Sequence, residues 1–439
     1  LKIETEASGN IVHFNSNDIL PGDIFIAMGA GHNYIEQALA NGASCVIAEQ
    51  ISNNIDDRII IVPNSEKALH MMASYKRAKS KAKFIGVTGS AGKTSTKEIL
   101  YHIFKNFGKS FVSRGNFNNH IGVPLNLASM PDDVEFAIFE MGMNHKGEIR
   151  PLAELVKPDI GIITNIYDVH IGHFGSAAEI AEEKSNIFYG MNENGIAILY
   201  KDNPYFEACC EFSRLKRENI YSFGSNHADA NLVKYESDGY ESKLEFRING
   251  KIIKAKAEVT GLHQATNMTA ALLLVDILGL DVKKAADSIL QLKHVKGRGE
   301  KIKAEIGRNE CVIINDCYNA NPAAVRYSLA TFKEIEHPNK IVILADMGEL
   351  GENEIAYHRN LAPEIIDSGA NYFYSVGPLM AHLFEEVKEE ISSKHFRDYM
   401  HLQSEIENLI TKPSIILLKG SKSTKLISVV DFLTKQKEK

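Results

Sequence analysis

Cysteine is scarce in this chain and follows no framework. Cys45, Cys209, Cys210, Cys311 and Cys317 are the five present in 439 residues, with no C-x-x-C spacing. An odd, unpatterned set argues against a disulfide-stapled fold or a cysteine zinc site and fits a reducing compartment. Long apolar runs are also missing. No stretch reaches the ~18 residues of a membrane helix, and the most apolar run, ALLLVDILGL, contains Asp276. Basic excess is missing too: the net charge is -7, which argues against a nucleic-acid surface and for small-molecule chemistry. The opening LKIETEASGN does not read as a basic, apolar signal, so a cytoplasmic chain is expected. No internal repeat is seen. With no long apolar surface helix, a monomer is expected.

What is present suits a multi-domain enzyme. Hydrophobic residues make up 44% and charged residues 24%, ample for several cores. The length predicts two to four domains. Residues 1–80 read as a small α/β unit, with IVHF, DIFIAM, CVIAE and RIIIV as strands and NYIEQALANGA as a helix. Residues 81–296 read as a larger α/β domain with a mostly parallel sheet, helices on both faces and an antiparallel excursion over 225–258. Residues 297–439 read as a third domain, an open parallel sheet of Rossmann-like order. HVKGRGEKI, rich in Gly and Lys, marks the second boundary.

The segment FIGVTGSAGKTSTKEIL organises the chain. A β-prone run, a small-residue turn and a helix start form a phosphate cradle, with loop N–H groups and the helix N-terminus facing an anion. The loop Thr88, Gly89, Ser90, Ala91, Gly92, Lys93, Thr94, Ser95 is the P-loop variant T-G-x-x-G-K-T, with Val87 where the strict pattern has Gly. Its two glycines let backbone approach phosphate. Lys93 reaches terminal phosphates, and the Thr94 hydroxyl is a Mg²⁺ ligand.

Other residues are open to two readings. Glu140 ends an apolar strand and either holds Mg²⁺ or caps and solvates. His170, with His173 as its rival, and Lys184 are either site residues or ordinary solvated groups. Asn267, at the start of an apolar helix, either reads a base edge or caps a first turn. Arg298, between two glycines, either reaches a γ-phosphate across a cleft or is a solvated linker residue. Asp316, Tyr318, Asn319 and Asn321 crowd the turn NDCYNANP, as a binding site or a bare turn. Asp346 ends a strand in the same manner, and KGSKS (419–423) either binds an anion or is a plain loop.

Taken in order, TGSAGKTSTK, NFNNHIGVPLNL, EMGMNHKGEI, GLHQATNMTAA, GRGEKI, DCYNANP, ADMGELGE and LKGSKS resemble the Mur ligases, the ATP-dependent amide-forming enzymes of cell-wall precursor synthesis. The resemblance covers nearly the whole chain. It implies a UDP-binding N-terminal domain, a central ATPase domain and a C-terminal domain that brings the amino acceptor. Thr94 and Glu140 would bind one Mg²⁺; His170 and a carbamylated Lys184 would bind or position a second. Asn267 would contact adenine, and Arg298 and Asp316 would hold ATP. Ser16, Asn118, Asn119, Tyr318, Asn319 and Asn321 would border substrates. NFNN-IGVPL, EMG-GEI, YNANP and DMGELGE imply UDP-N-acetylmuramoyl-tripeptide and D-alanyl-D-alanine as the pair joined, through an acyl phosphate. Asn15-Ser16-Asn17 stands where the family has Asp-Ser-Arg. A sister ligase, a folylpolyglutamate-type ligase and a regulatory P-loop ATPase remain the alternatives.

Overall fold

The computed structural model describes residues 11–50, 56–167, 174–225 and 227–434. Three sheets follow one another along the chain. The first has four short strands in sequence order, Val12–His13, Ile24–Ile26, Cys45–Ala48 and Ile59–Ile61. All of their pairings are parallel. The predicted helix at NYIEQALANGA is shorter than expected: Ile35–Ala40 is α-helical and Gly29–Tyr34 is 3-10 helix.

The second sheet has nine strands. Lys83–Thr88 lies inside it, between Ile160–Ile163 and Phe136–Glu140, parallel to both. Ser110–Val112 closes one edge. On the other side come Ile196–Tyr200 and Ile220–Gly224, then Ala230–Ser237, parallel to the last, followed by Ser242–Ile248 and Lys251–Ala257 in antiparallel pairings. Alternating side chains feed two cores, as period-two strands must. Ile85, Val87 and Ile138 pack with Ile99, Leu100, Met268 and Leu272. Phe84, Ala137 and Phe139 pack on the opposite face with Leu152, Val156 and Ile180. A sheet covered on both faces presents the carboxyl ends of its strands as the binding edge.

The third sheet runs in the order Glu300–Ile306, Asn309–Asp316, Ile415–Lys419, Lys340–Ala345, Tyr372–Val376, Ser392–Phe396. The last strand in sequence of this sheet inserts between Asn309–Asp316 and Lys340–Ala345, which opens a crevice at their carboxyl ends. Glu300–Ile306 pairs antiparallel, so the sheet is not purely parallel as expected. Glu300–Ile306 and three further strands were not predicted. Ser110–Val112 and Ser392–Phe396 are edge strands; the latter, SSKHF, buries only its last residue fully and so shows no apolar alternation. Ile220–Gly224 directly precedes the predicted excursion.

Candidate functional site

The phosphate loop is shaped by two glycines in conformations that other residues resist. Gly92 has φ 78° and opens the helix Lys93–Phe104. Gly89 has φ 148°, and a Cβ there would lie 1.9 Å from Thr164 Oγ1. The loop is held from the next strand end: Asn165 Oδ1 accepts from Ala91 N at 2.8 Å, and Ser90 N donates to Asn165 O at 3.0 Å. The Lys93 ammonium donates to Gly89 O at 2.8 Å, folded back over the loop.

Thr94 Oγ1 donates to Glu140 Oε2 at 2.7 Å. Glu140 is only 2% exposed, and Asn118 Nδ2 donates to its other oxygen at 2.8 Å. Burying a carboxylate requires such partners. Lys97 Nζ lies 3.6 Å from Glu140 Oε2 and donates to Ser113 O and Gly115 O at 2.8 and 2.7 Å. Arg298 reaches across from the linker: its Nη2 donates to Thr94 Oγ1 at 3.0 Å, and its guanidinium lies 4.0 Å from the Tyr318 ring centre. Burial pushes the Lys93 ammonium below the ordinary lysine range; Glu140 opposes that and Arg298 adds to it. Lys184 is driven well below that range by burial, then by the positive charge of Lys93, with Glu183 opposing.

A cleft of about 660 Å³ joins these groups to the crevice of the third sheet. Ser90 to Ser95, Asn118, Asn119, Glu140, Arg298, Asp316, Tyr318, Asn319 and Asn321 all line it. Asp316 is held by Lys419 Nζ at 2.7 Å and Ser328 Oγ at 2.5 Å. Lys419 also donates to Asn319 O at 3.0 Å. Asn321 does cap a helix, its Oδ1 accepting from Ala324 N at 2.9 Å, so this residue serves the local turn as well as the cleft wall. Asn267 is buried with its amide against Gly92. Thr88 and Gly89, at the start of the loop, and Lys184 are buried and do not line the cleft. Ser16 is not brought to the cleft: its buried hydroxyl donates to Gln37 Oε1 at 2.9 Å. His170 and His173 lie outside the described residues. Asp346 accepts from Met380 N at 2.7 Å, at the start of the helix Met380–Val387.

Sequence reasoning passed over Lys97, Lys419 as the partner of Asp316, and the rings of His263 and Tyr327. A lysine one turn after Lys93 was the available signal for Lys97. The rings had none, because their neighbours come from distant segments.

Oxygen donors at one point beside a phosphate loop suit Mg²⁺, which takes one or two protein oxygens and completes its shell with water and phosphate. Among the described residues no group of three His, Cys, Asp or Glu is placed to hold a metal ion.

Fold and cleft together define a multi-domain P-loop nucleotide-binding protein in which a linker arginine meets a P-loop threonine. Two family models match the chain, the Mur ligase middle domain over residues 87–275 and the Mur ligase glutamate ligase domain over 297–422. The chain belongs to the Mur ligase family. It is 41% identical over 438 residues to the UDP-N-acetylmuramoyl-tripeptide--D-alanyl-D-alanine ligase of Rickettsia prowazekii, covering 98% of this chain and 97% of that one. Its fold is similar to MurF from Acinetobacter baumannii, with TM-score 0.84, 26% identity and 97% and 93% of the two chains covered. It is also similar to MurF ligase from Thermotoga maritima in complex with ADP, with TM-score 0.81, 27% identity and 98% and 99% covered.

Proposed function

We propose that this chain joins D-alanyl-D-alanine to UDP-N-acetylmuramoyl-tripeptide at the expense of ATP, in the synthesis of peptidoglycan precursor. The observation that carries this is the convergence of Arg298, Thr94 and Glu140 at one point of the cleft. Full-length similarity to enzymes of that name supports it.

The tripeptide carboxylate attacks the γ-phosphorus of ATP, ADP leaves, and an acyl phosphate forms. Lys93, the loop N–H groups and Arg298 face the charge that builds on the transferring phosphoryl group. Mg²⁺ held by Thr94 and Glu140 would neutralise further phosphate charge. The dipeptide amine then attacks the activated carbonyl, loses a proton, and phosphate departs from the tetrahedral intermediate. Water must be kept out, because an acyl phosphate hydrolyses. Closure of the third domain about Gly297-Arg298-Gly299 suits that need.

In this reading Asn267 meets the adenine, Asp316 the nucleotide from the C-terminal side, and Asn118, Asn119, Tyr318, Asn319 and Asn321 the substrates. Ser16 would border the substrate held by the N-terminal domain. His170 and a carbamylated Lys184 would serve a second Mg²⁺; a buried amine disfavoured as a cation is the form that adds CO2. The three sheets support domains at 1–80, 81–296 and 297–439. Buried, free cysteines suit the cytoplasm, and among the described residues no helix is long and apolar enough to cross a membrane. A monomer is the expected state.

Phosphate release tests the proposal. Release that requires both the UDP-muramoyl tripeptide and D-alanyl-D-alanine, with one amide per phosphate, is the expected result. Steady release from ATP alone, with no amide, would overturn it in favour of an ATPase module.

A further inference from the structure

Three rings meet where the second and third sheets' units face each other. The hydroxyls of Tyr167 and Tyr327 lie 2.5 Å apart, and their ring centres are 6.2 Å apart. His263 stacks on Tyr327, with centres 5.2 Å apart and planes 29° apart.

Each ring is anchored to a different wall of the nucleotide site. Tyr167 is bonded to the phosphate loop: its N–H donates to Ser90 Oγ at 2.9 Å, and its carbonyl accepts from that hydroxyl at 3.1 Å. His263 precedes Gln264, whose amide lies 3.4 Å from Ser95 Oγ, and shares its helix with Asn267. Tyr327 lies on the helix Pro322–Lys333, between the Asn321 cap and Ser328, the partner of Asp316. A displacement of that helix therefore strains the phosphate loop through one hydroxyl pair. Either hydroxyl can donate, so the pair tolerates small rotations but not separation. Burial, then the bond to Tyr327, pushes Tyr167 far above the ordinary phenol range, which keeps a proton in the pair.

We propose that Tyr327 is a positioning residue, a latch that acts through Tyr167 and His263 to hold the acceptor-side helix in register with the phosphate loop. The proposal rests on the ligase reading above. Its chemical consequence is that the amine reaches the acyl phosphate ahead of water.

Tyr167→Phe and Tyr327→Phe keep the rings and remove one hydroxyl each, so thermal denaturation should report folded protein for both. In each, KM for D-alanyl-D-alanine rises and phosphate released per amide increases, by roughly two- to ten-fold, the range of one net hydrogen bond. KM for ATP stays within about two-fold, because the loop N–H groups are untouched. The double variant behaves like either single one, since both remove the same bond. Small-angle scattering with a non-hydrolysable ATP analogue should give a larger radius of gyration for each variant than for the unmodified chain. Unchanged coupling and scattering, or additive effects, would overturn the latch. If the unmodified chain formed no amide, the ligase reading would fail, and the scattering comparison would still decide the latch.

Discussion

Arg298 and Thr94 are 204 residues apart in sequence, yet the guanidinium donates to the threonine hydroxyl at 3.0 Å. The contact brings a fixed charge from the linker to the mouth of the phosphate loop. The guanidinium lies over the Tyr318 ring, 4.0 Å from its centre, where the ring face favours the charge. A lysine keeps the charge but loses the planar fork and the stack. Arg298→Lys should lower kcat by about 10²-fold or more, with KM for ATP changed far less, because the charge is needed as the phosphoryl group transfers. Steady-state kinetics at saturating substrates checks this; an equal rise in KM with unchanged kcat would show a ground-state role instead.

Glu140 accepts hydrogen bonds from both Thr94 and Asn118. Glu140→Gln preserves shape and removes the anion. The Mg²⁺ concentration giving half-maximal rate should rise about ten-fold or more, as oxygen charge sets affinity for a hard cation. A titration of rate against Mg²⁺ measures it. An unchanged midpoint would place the metal elsewhere.

Much of this site was legible in the sequence because its chemistry is local there. Lys93, Thr94 and the two glycines sit close together in the chain, and Glu140 ends a strand whose four apolar and aromatic residues announce it. Arg298 was legible through its glycine flanks. Less legible were groups whose role depends on partners far along the chain. Lys419 meets Asp316 only once the last strand inserts between two earlier ones. Ser16 was read from its motif as a substrate contact; in the fold its hydroxyl donates to Gln37, a partner 21 residues along the chain. Short edge strands such as SSKHF escaped because a mostly polar, five-residue strand lacks the alternation that marks a half-buried one.

Stability should depend on pH through two buried imidazoles. His263 is lowered to about 4 by burial, with Asp316 opposing and His294 and Lys419 reinforcing. His294 is lowered to about 4 by burial, with Lys301 reinforcing and the bond to Arg298 O and Asp316 opposing. Both stay neutral in the folded chain while the unfolded chain takes up protons near the ordinary value of 6.5. The unfolded state therefore binds more protons between those values, and stability falls as pH drops from about 6.5 towards 4. Urea midpoints should decrease across that window. His263→Phe keeps a ring against Tyr327 and should flatten part of the slope; an unchanged slope would assign it to other groups.

Lys97 supplies the last test, because its burial is complete and its partners come from two other segments of the chain. Its ammonium donates to Ser113 O and Gly115 O and lies 3.6 Å from Glu140. Ser113 Oγ in turn accepts from Glu140 N at 3.1 Å. Lys97→Met keeps the length of the side chain but strands two carbonyls and leaves a buried carboxylate without its nearby cation. Breaking a buried pair from one side costs about 3–5 kcal/mol, far more than the ~1 kcal/mol of an ordinary hydrogen bond. Chemical denaturation of Lys97→Met should show a loss of that order. Glu140→Gln removes the other charge, so the double variant should lose less than the sum of the two singles. A loss under about 1 kcal/mol for Lys97→Met would mean that water reaches the stranded groups and that the lysine carries no part of the core beneath the phosphate loop.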